Sequence, residues 1–292
     1  MNNSNQHNRC LDIVRDIAKE SYNRREIARI EHTFRDVCAL FEGKMAGYQG
    51  CDTLYHDIEH TLQVLPPYAQ IIDGWNKAGQ RPYIPFSYFE LGVIAALLHD
   101  TGYMKKEGDT EGTGAKYTFR HEELSVDFCN KYLSKRGFKE SEIASVANII
   151  RCTGVMVRVE TIPFTCKEER IVGYAVGVAD LLGQMSAENY VQKLTILYKE
   201  FQEGYRFEGE KNLKKKGIPI FKDANELIKN TPSFYYNTVL ERFKAMGSLE
   251  RYVIYHFPER YDPYKIRIEH NLDLIRSKYR FPGKEFGIIQ GS

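Results

Sequence analysis

The chain has 292 residues, 42% hydrophobic and 27% charged, the balance of an ordinary globular protein. Its 41 basic and 39 acidic side chains leave a net charge of +2, which gives no electrostatic pull toward a nucleic acid polymer or an anionic membrane. No apolar stretch approaches the roughly 20 residues that span a bilayer, the polar start MNNSNQHNRCLDIVRDIAKE lacks a signal peptide's apolar core, and six scattered cysteines form neither a CxxC pattern nor a disulfide scaffold, so a reduced, cytoplasmic protein is expected.

Helix is the predicted element almost throughout, so the expected fold class is all-α. Over residues 25–43, Ile27, Ile30, Phe34, Val37 and Phe41 recur at three- and four-residue spacings, and Gly43 is a natural stop. The stretch YHDIEH sets His56 and His60 four residues apart. A helix beginning near Thr53 would place both on one face, and Pro66-Pro67 would then break or restart it. In FELGVIAALLHD (89–100), residues 91–98 are apolar or glycine on every side, the pattern of a helix buried all round, with His99 and Asp100 at its C-terminal end. Residues 104–118 read as a glycine-rich, charged loop. A helix over 141–154 has Ser141 as its N-cap, a stripe of Ile143, Val146, Ala147 and Ile150, and Gly154 as its end. GVMVRVETI (154–162) is the best strand candidate, one arm of a short hairpin. Helices follow over 169–186, 187–204 and 237–257, the last split at Gly247, with a glycine- and lysine-rich loop over 203–222. Within it, Lys214-Lys215-Lys216 reads as a solvated cluster.

The doublet His99-Asp100 ends the most apolar segment. A carboxylate buried there needs an arginine, a hydrogen-bond network or a metal ion. The helix dipole is negative at that end, which favours a cation and disfavours a bare carboxylate. A metal answers both demands, whereas an arginine would serve Asp100 and leave the adjacent histidine unexplained. Asp180 sits in a second apolar helix, on one stripe with Gly173, Gly177 and Gln184. Two readings are open for it: close helix packing with Asp180 bonded to a neighbouring backbone, or a metal ligand facing a cavity. Together His60, His99, Asp100 and Asp180 offer imidazoles and carboxylates suited to a divalent ion with positions left for water. Metal-bound water is a nucleophile near neutral pH, which makes hydrolytic machinery without a serine or cysteine.

These residues, in this order, resemble the H…HD…D signature of the HD superfamily of metal-dependent phosphohydrolases. YHDIEHTLQV is similar to the YHNxxHxxDV-type motif of its cyclic-nucleotide-phosphodiesterase-like branch. The resemblance covers roughly residues 25–200, leaving 201–292 as a helical extension packed on that domain. It implies an HD-type helical bundle and hydrolysis of a phosphomonoester or phosphodiester of a small molecule or nucleotide. By position, it makes His60, His99, Asp100 and Asp180 ligands of a divalent metal (Mn, Fe, Mg, Zn, Ni or Co), and His56 the acid that protonates the leaving oxygen. Asp180 would also orient the attacking water. The sequence departs from the branch motif in having Asp57 for Asn and Gln63 for an acid, neither of them a ligand position.

For a second ion the candidate ligand is His121, and Glu122 is a further catalytic candidate beside it. His121 could ligate, bind phosphate or merely cap a helix, and Glu122 could polarise water or be an exposed first-turn acid. Arg120 and Arg151 are the candidate phosphate clamps, with Gln184 as a further substrate contact. Two other readings are a nucleotide-sensing module built on the same site and a di-iron oxygenase. The oligomeric state, including a homo-oligomer, is open.

Overall fold

Apolar residues at helical spacing run along most of the chain, and the computed structural model is accordingly all-helical. It describes residues 3–279, with side chains from residue 7 onward. Among the described residues no strand forms. An isolated antiparallel bridge joins Tyr48 to Lys106.

In chain order the helices are α1 (Asn3–Tyr22), α2 (Ala28–Phe41), α3 (Ile58–Gln63), α4 (Leu65–Lys77), α5 (Phe86–Leu98), α6 (His121–Lys135), α7 (Glu140–Arg151), α8 (Lys167–Ser186), α9 (Tyr190–Glu208), α10 (Glu210–Lys215), α11 (Ala224–Phe234), α12 (Leu240–Ala245), α13 (Val253–His256) and α14 (Pro263–Lys278). The uniformly apolar α5 occupies the centre. Every residue from Phe89 to Leu98 is buried, and α2, α4, α7 and α8 pack around it. This is where a helix with no polar face must go. Helices α1 and α13 lie on α4, and α14 lies on α8. A Cβ at Gly74 would fall 1.9 Å from the Tyr252 carbonyl oxygen, so glycine is what lets α4 meet the C-terminal segment so closely. One hydrophobic cluster runs from Leu11 to Ile275. No helix of the described residues is long and apolar enough to cross a membrane.

Several local expectations are corrected. Helix α1 was not among the predicted elements, yet Leu11, Val14, Ile17 and Ala18 bury one face of it. The helix carrying His60 begins at Ile58, not near Thr53. Asp57 caps it, its Oδ1 accepting from the His60 N–H at 2.8 Å, so His56 precedes the helix and shares no helical face with His60. The second proline-led helix does restart, with prolines in the first turn of α4. Lys139, not Ser141, is the N-cap of α7, and the Glu142 carboxylate accepts from its N–H at 2.9 Å. Residues 154–162 are no strand: the carbonyls of Gly154, Val155 and Val157 are claimed by Arg242, and Val159–Thr161 form a 3-10 turn. The 203–222 loop is partly helical, because α9 runs to Glu208 and α10 follows the left-handed Gly209. Gly247, at φ +77°, does end α12 and split the C-terminal helix. The 104–118 segment is ordered by buried cations: Lys105 pairs with Asp52 at 2.9 Å and Lys116 with Asp109 at 2.7 Å.

Candidate metal centre

Three elements bring the central residues together. At the end of α5 the last-turn carbonyls lack helical partners. His99 uses one of them: its Nδ1–H donates to Ala96 O at 2.8 Å, which turns Nε2 inward. Asp100 follows directly. Helix α3 supplies His60, and the long, apolar α8 supplies Asp180. Asp100 Oδ2 lies 3.2 Å from His99 Nε2 and 3.4 Å from His60 Nε2. Asp180 Oδ1 lies 3.7 Å from each imidazole Nε2. All four residues are buried.

The hydrogen bonding is incomplete at one place. His99 Nε2, Asp100 Oδ2 and Asp180 Oδ1 are buried side-chain atoms that make no hydrogen bond, although His99 Nε2 and Asp100 Oδ2 stand at ion-pair distance. Such groups are costly unless something else satisfies them. The ligand atoms of His60, His99 and Asp180 lie within 4.8 Å of one another, so this group could hold a metal ion. The donor types fit a borderline divalent cation, and the carbonyl bond at His99 Nδ1 fixes the tautomer a ligand needs.

Burial and mutual charge shift all four groups. Burial disfavours the charged His99 ring, but Asp100 outweighs it and pushes the pKa up to about 9. Burial raises Asp100 too, yet His99 and His60 outweigh it and hold the carboxyl well below its usual range. Burial, helped by the Asp100 charge, outweighs His99 and leaves the Asp180 pKa raised, while burial drives His60 well below the ordinary imidazole value. Without a bound ion, His99 and Asp100 therefore favour an ion pair, while Asp180 and His60 are pushed toward their neutral forms.

His56 stands beside this group, its ring 5.1 Å from that of His60. Its Nδ1 meets Glu200 Oε2 at 2.6 Å, while Glu200 Oε1 accepts from the N–H groups of Leu54 (2.8 Å) and Tyr55 (2.6 Å). Tyr103 stacks on His56 at 4.4 Å and on His121 at 4.7 Å. His121 Nδ1–H donates to Thr118 O at 2.8 Å, and its Nε2 lies 3.7 Å from Asp100 Oδ1. Glu122 Oε2 is buried without a hydrogen bond, 3.5 Å from His121 Nδ1, so Glu122 is not an exposed first-turn acid.

The structure thus gathers His56, His60, His99, Asp100, His121, Glu122 and Asp180. Gln184 lies at the edge, accepting from the Tyr55 hydroxyl at 3.1 Å. The glycine stripe of α8 divides the two readings of Asp180. Gly173 and Gly177 do serve close packing, against Cys152, but Asp180 Oδ1 finds no partner. The two arginines are elsewhere engaged. Arg120 is exposed on a groove lined also by Tyr48, Phe128 and Lys131, and Arg151 donates to Asn148 Oδ1 at 3.0 Å. Sequence reasoning missed Glu200, whose signal was an acid between Leu197 and Gly204 on the inner stripe of α9. It also missed Lys193, which lies 3.5 Å from Asp57 Oδ2 and so balances the acid found where the motif has asparagine.

An all-helical protein with a buried histidine–aspartate group able to hold a metal is the class that this fold and site define. The chain belongs to the Npun_R2479-like family, whose profile matches residues 5–251. That span takes in α1 and runs through α12, so Glu200 and Arg242 fall inside it together with His60, His99 and Asp180. A search of curated proteins returns no match.

Proposed function

We propose that the chain is a metal-dependent phosphohydrolase acting on a phosphomonoester or phosphodiester of a small molecule or nucleotide. One observation carries this reading: three buried atoms that make no hydrogen bond, on His99, Asp100 and Asp180, converge with His60 beside a histidine that a carboxylate orients. A structural polar network would have satisfied those atoms internally.

His60, His99, Asp100 and Asp180 would hold a divalent cation. Bound there, such a cation supplies a Lewis acid and lowers the pKa of water in the site. The chain does the rest. Glu200 takes the Nδ1–H of His56 and leaves Nε2–H to be delivered to the departing ester oxygen. Burial disfavours the charged ring of His56, but Glu200 and the nearby aspartates outweigh it and raise the pKa, which keeps the acid form present near neutrality. Asp100 presents Oδ2 to His60 and His99 and Oδ1 toward His121, an arrangement that supports a second ion on the His121 side.

The test is elemental analysis of purified protein beside His99→Ala, followed by a phosphatase and phosphodiesterase screen with the metal found. One or two ions per chain, lost in the variant together with turnover, is the expected result. No metal, and none taken up when Mn, Fe, Mg, Zn, Ni and Co are offered, sinks the reading.

A further inference from the structure

The segment after α7 is wound round a single guanidinium. From α12, Arg242 Nη1 donates to the carbonyls of Val155 and Val157, both at 3.1 Å. Its Nη2 donates to those of Cys152 at 2.9 Å and Gly154 at 2.6 Å. Its Nε is buried without a partner. With both terminal nitrogens committed to main chain, Arg242 is not a phosphate clamp. It is a template for the shape of residues 152–157.

The other side of that segment touches the site. A Cβ on Gly154 would lie 2.5 Å from Glu122 Oε1, so the Glu122 carboxylate rests against the bare α-carbon of Gly154. Glu122 Oε2 is the atom that stands unpartnered, 3.5 Å from His121 Nδ1. An unbonded carboxylate chooses its rotamer by what it packs against, and here the packing partner is a segment whose course Arg242 dictates.

We propose that Arg242 is a positioning residue: by holding residues 152–157 it makes Gly154 the backstop that fixes the Glu122 carboxylate beside His121. Its catalytic consequence rests on the hydrolase reading. The positioning itself does not, and is measured without turnover.

The experiment is NMR of metal-free, histidine-labelled protein, reading the His121 ring signals. Wild type, Glu122→Gln, Arg242→Lys and the double variant are compared. A lysine keeps the charge but presents one ammonium, which cannot serve four carbonyls. Arg242→Lys should move the His121 signals as Glu122→Gln does, add nothing in the Glu122→Gln background, and leave His256 on α13 unmoved. A variant that melts earlier but keeps wild-type His121 signals would overturn the proposal and leave Arg242 a loop clamp. Should Arg242→Lys not fold, Gly154→Ala carries the test, since its methyl group would fall 2.5 Å from Glu122 Oε1 and 2.7 Å from Val157 Cγ2 and so disturbs the backstop on both sides. Unmoved His121 signals there are equally fatal. With an active metal and phosphoester in hand, Arg242→Lys should lower kcat by about 10-fold at unchanged metal content, and not further in Glu122→Gln. Absence of metal uptake and turnover in wild type would remove the hydrolase reading and leave the NMR result standing.

Discussion

Among the described residues two histidine–aspartate groups are buried, and they are built in opposite ways. At the end of α5, His99 Nε2, Asp100 Oδ2 and Asp180 Oδ1 face one another without a hydrogen bond. Between α1, α4 and α13, Asp73 is completely buried and fully used: Oδ1 accepts from the Ser21 hydroxyl, and Oδ2 meets His256 Nδ1 at 2.6 Å and Lys77 Nζ at 2.7 Å. Burial of an acid beside a histidine is common to both. Only the first leaves buried polar atoms without a hydrogen bond, and that difference separates a candidate ligand place from a staple between helices.

The comparison breaks most simply by mutation at each group. His99→Ala should abolish metal uptake and turnover together, read by elemental analysis and assay. Asp73→Ala should leave metal content unchanged and instead lower stability by about 3 kcal/mol in urea unfolding, because Ser21, Lys77 and His256 lose their common acceptor. Loss of metal in Asp73→Ala would mean that the two groups are not independent. Next in size is His56→Ala, which should keep the metal and lose about 10²- to 10⁴-fold in kcat. Glu200→Gln should lose less, about 10-fold, and shift the basic limb of the pH profile to lower pH, since the charge that raises the His56 pKa is gone.

Which of the two groups could be read in advance follows from physics. His99, Asp100 and Asp180 were conspicuous because each interrupts or ends an apolar run, and His60 through its spacing from His56 and the motif it resembles; local sequence reports both. The all-α class was legible for the same reason, through apolar spacing at Ile30, Phe34, Val37 and Phe41. Asp73, Ser21 and His256 were not legible as a group. They lie on three helices, and only the close approach of α4 to the C-terminal segment at Gly74 brings them together. Glu200 is hidden likewise, 144 residues from the histidine it orients. The misread strand at 154–162 shows the converse. Its β-branched residues invite a ladder, but a distant arginine captures the carbonyls that a ladder would need.

Acid sharpens the contrast further. Burial alone would raise the Asp73 pKa, but His256, Lys77 and Ser21 outweigh it and hold it below the ordinary carboxylate value. A carboxyl with a lower pKa folded than unfolded contributes its full stabilisation above the unfolded value of about 3.9 and loses it as pH falls through the folded one. Urea midpoints of metal-free protein should therefore drop below about pH 4, and the drop should be shallower in Asp73→Asn. An acid limb of the same slope in that variant would place the responsible carboxylates elsewhere.

The smallest effect belongs to Ser21. Its hydroxyl gives Asp73 Oδ1 its donor, while Oδ2 keeps both His256 and Lys77. Ser21→Ala thus removes one hydrogen bond to a charged acceptor and leaves the charge paired, a loss of about 1–2 kcal/mol. The same hydroxyl deletion has no counterpart at the α5 group, where no serine or threonine donor reaches the open atoms. If Ser21→Ala instead matched the loss in Asp73→Ala, the network would be cooperative, its two remaining partners unable to hold α1 against α4 without the hydroxyl. A double-mutant cycle of Ser21→Ala with His256→Ala reads this directly, with a coupling near zero expected for independent bonds to separate oxygens.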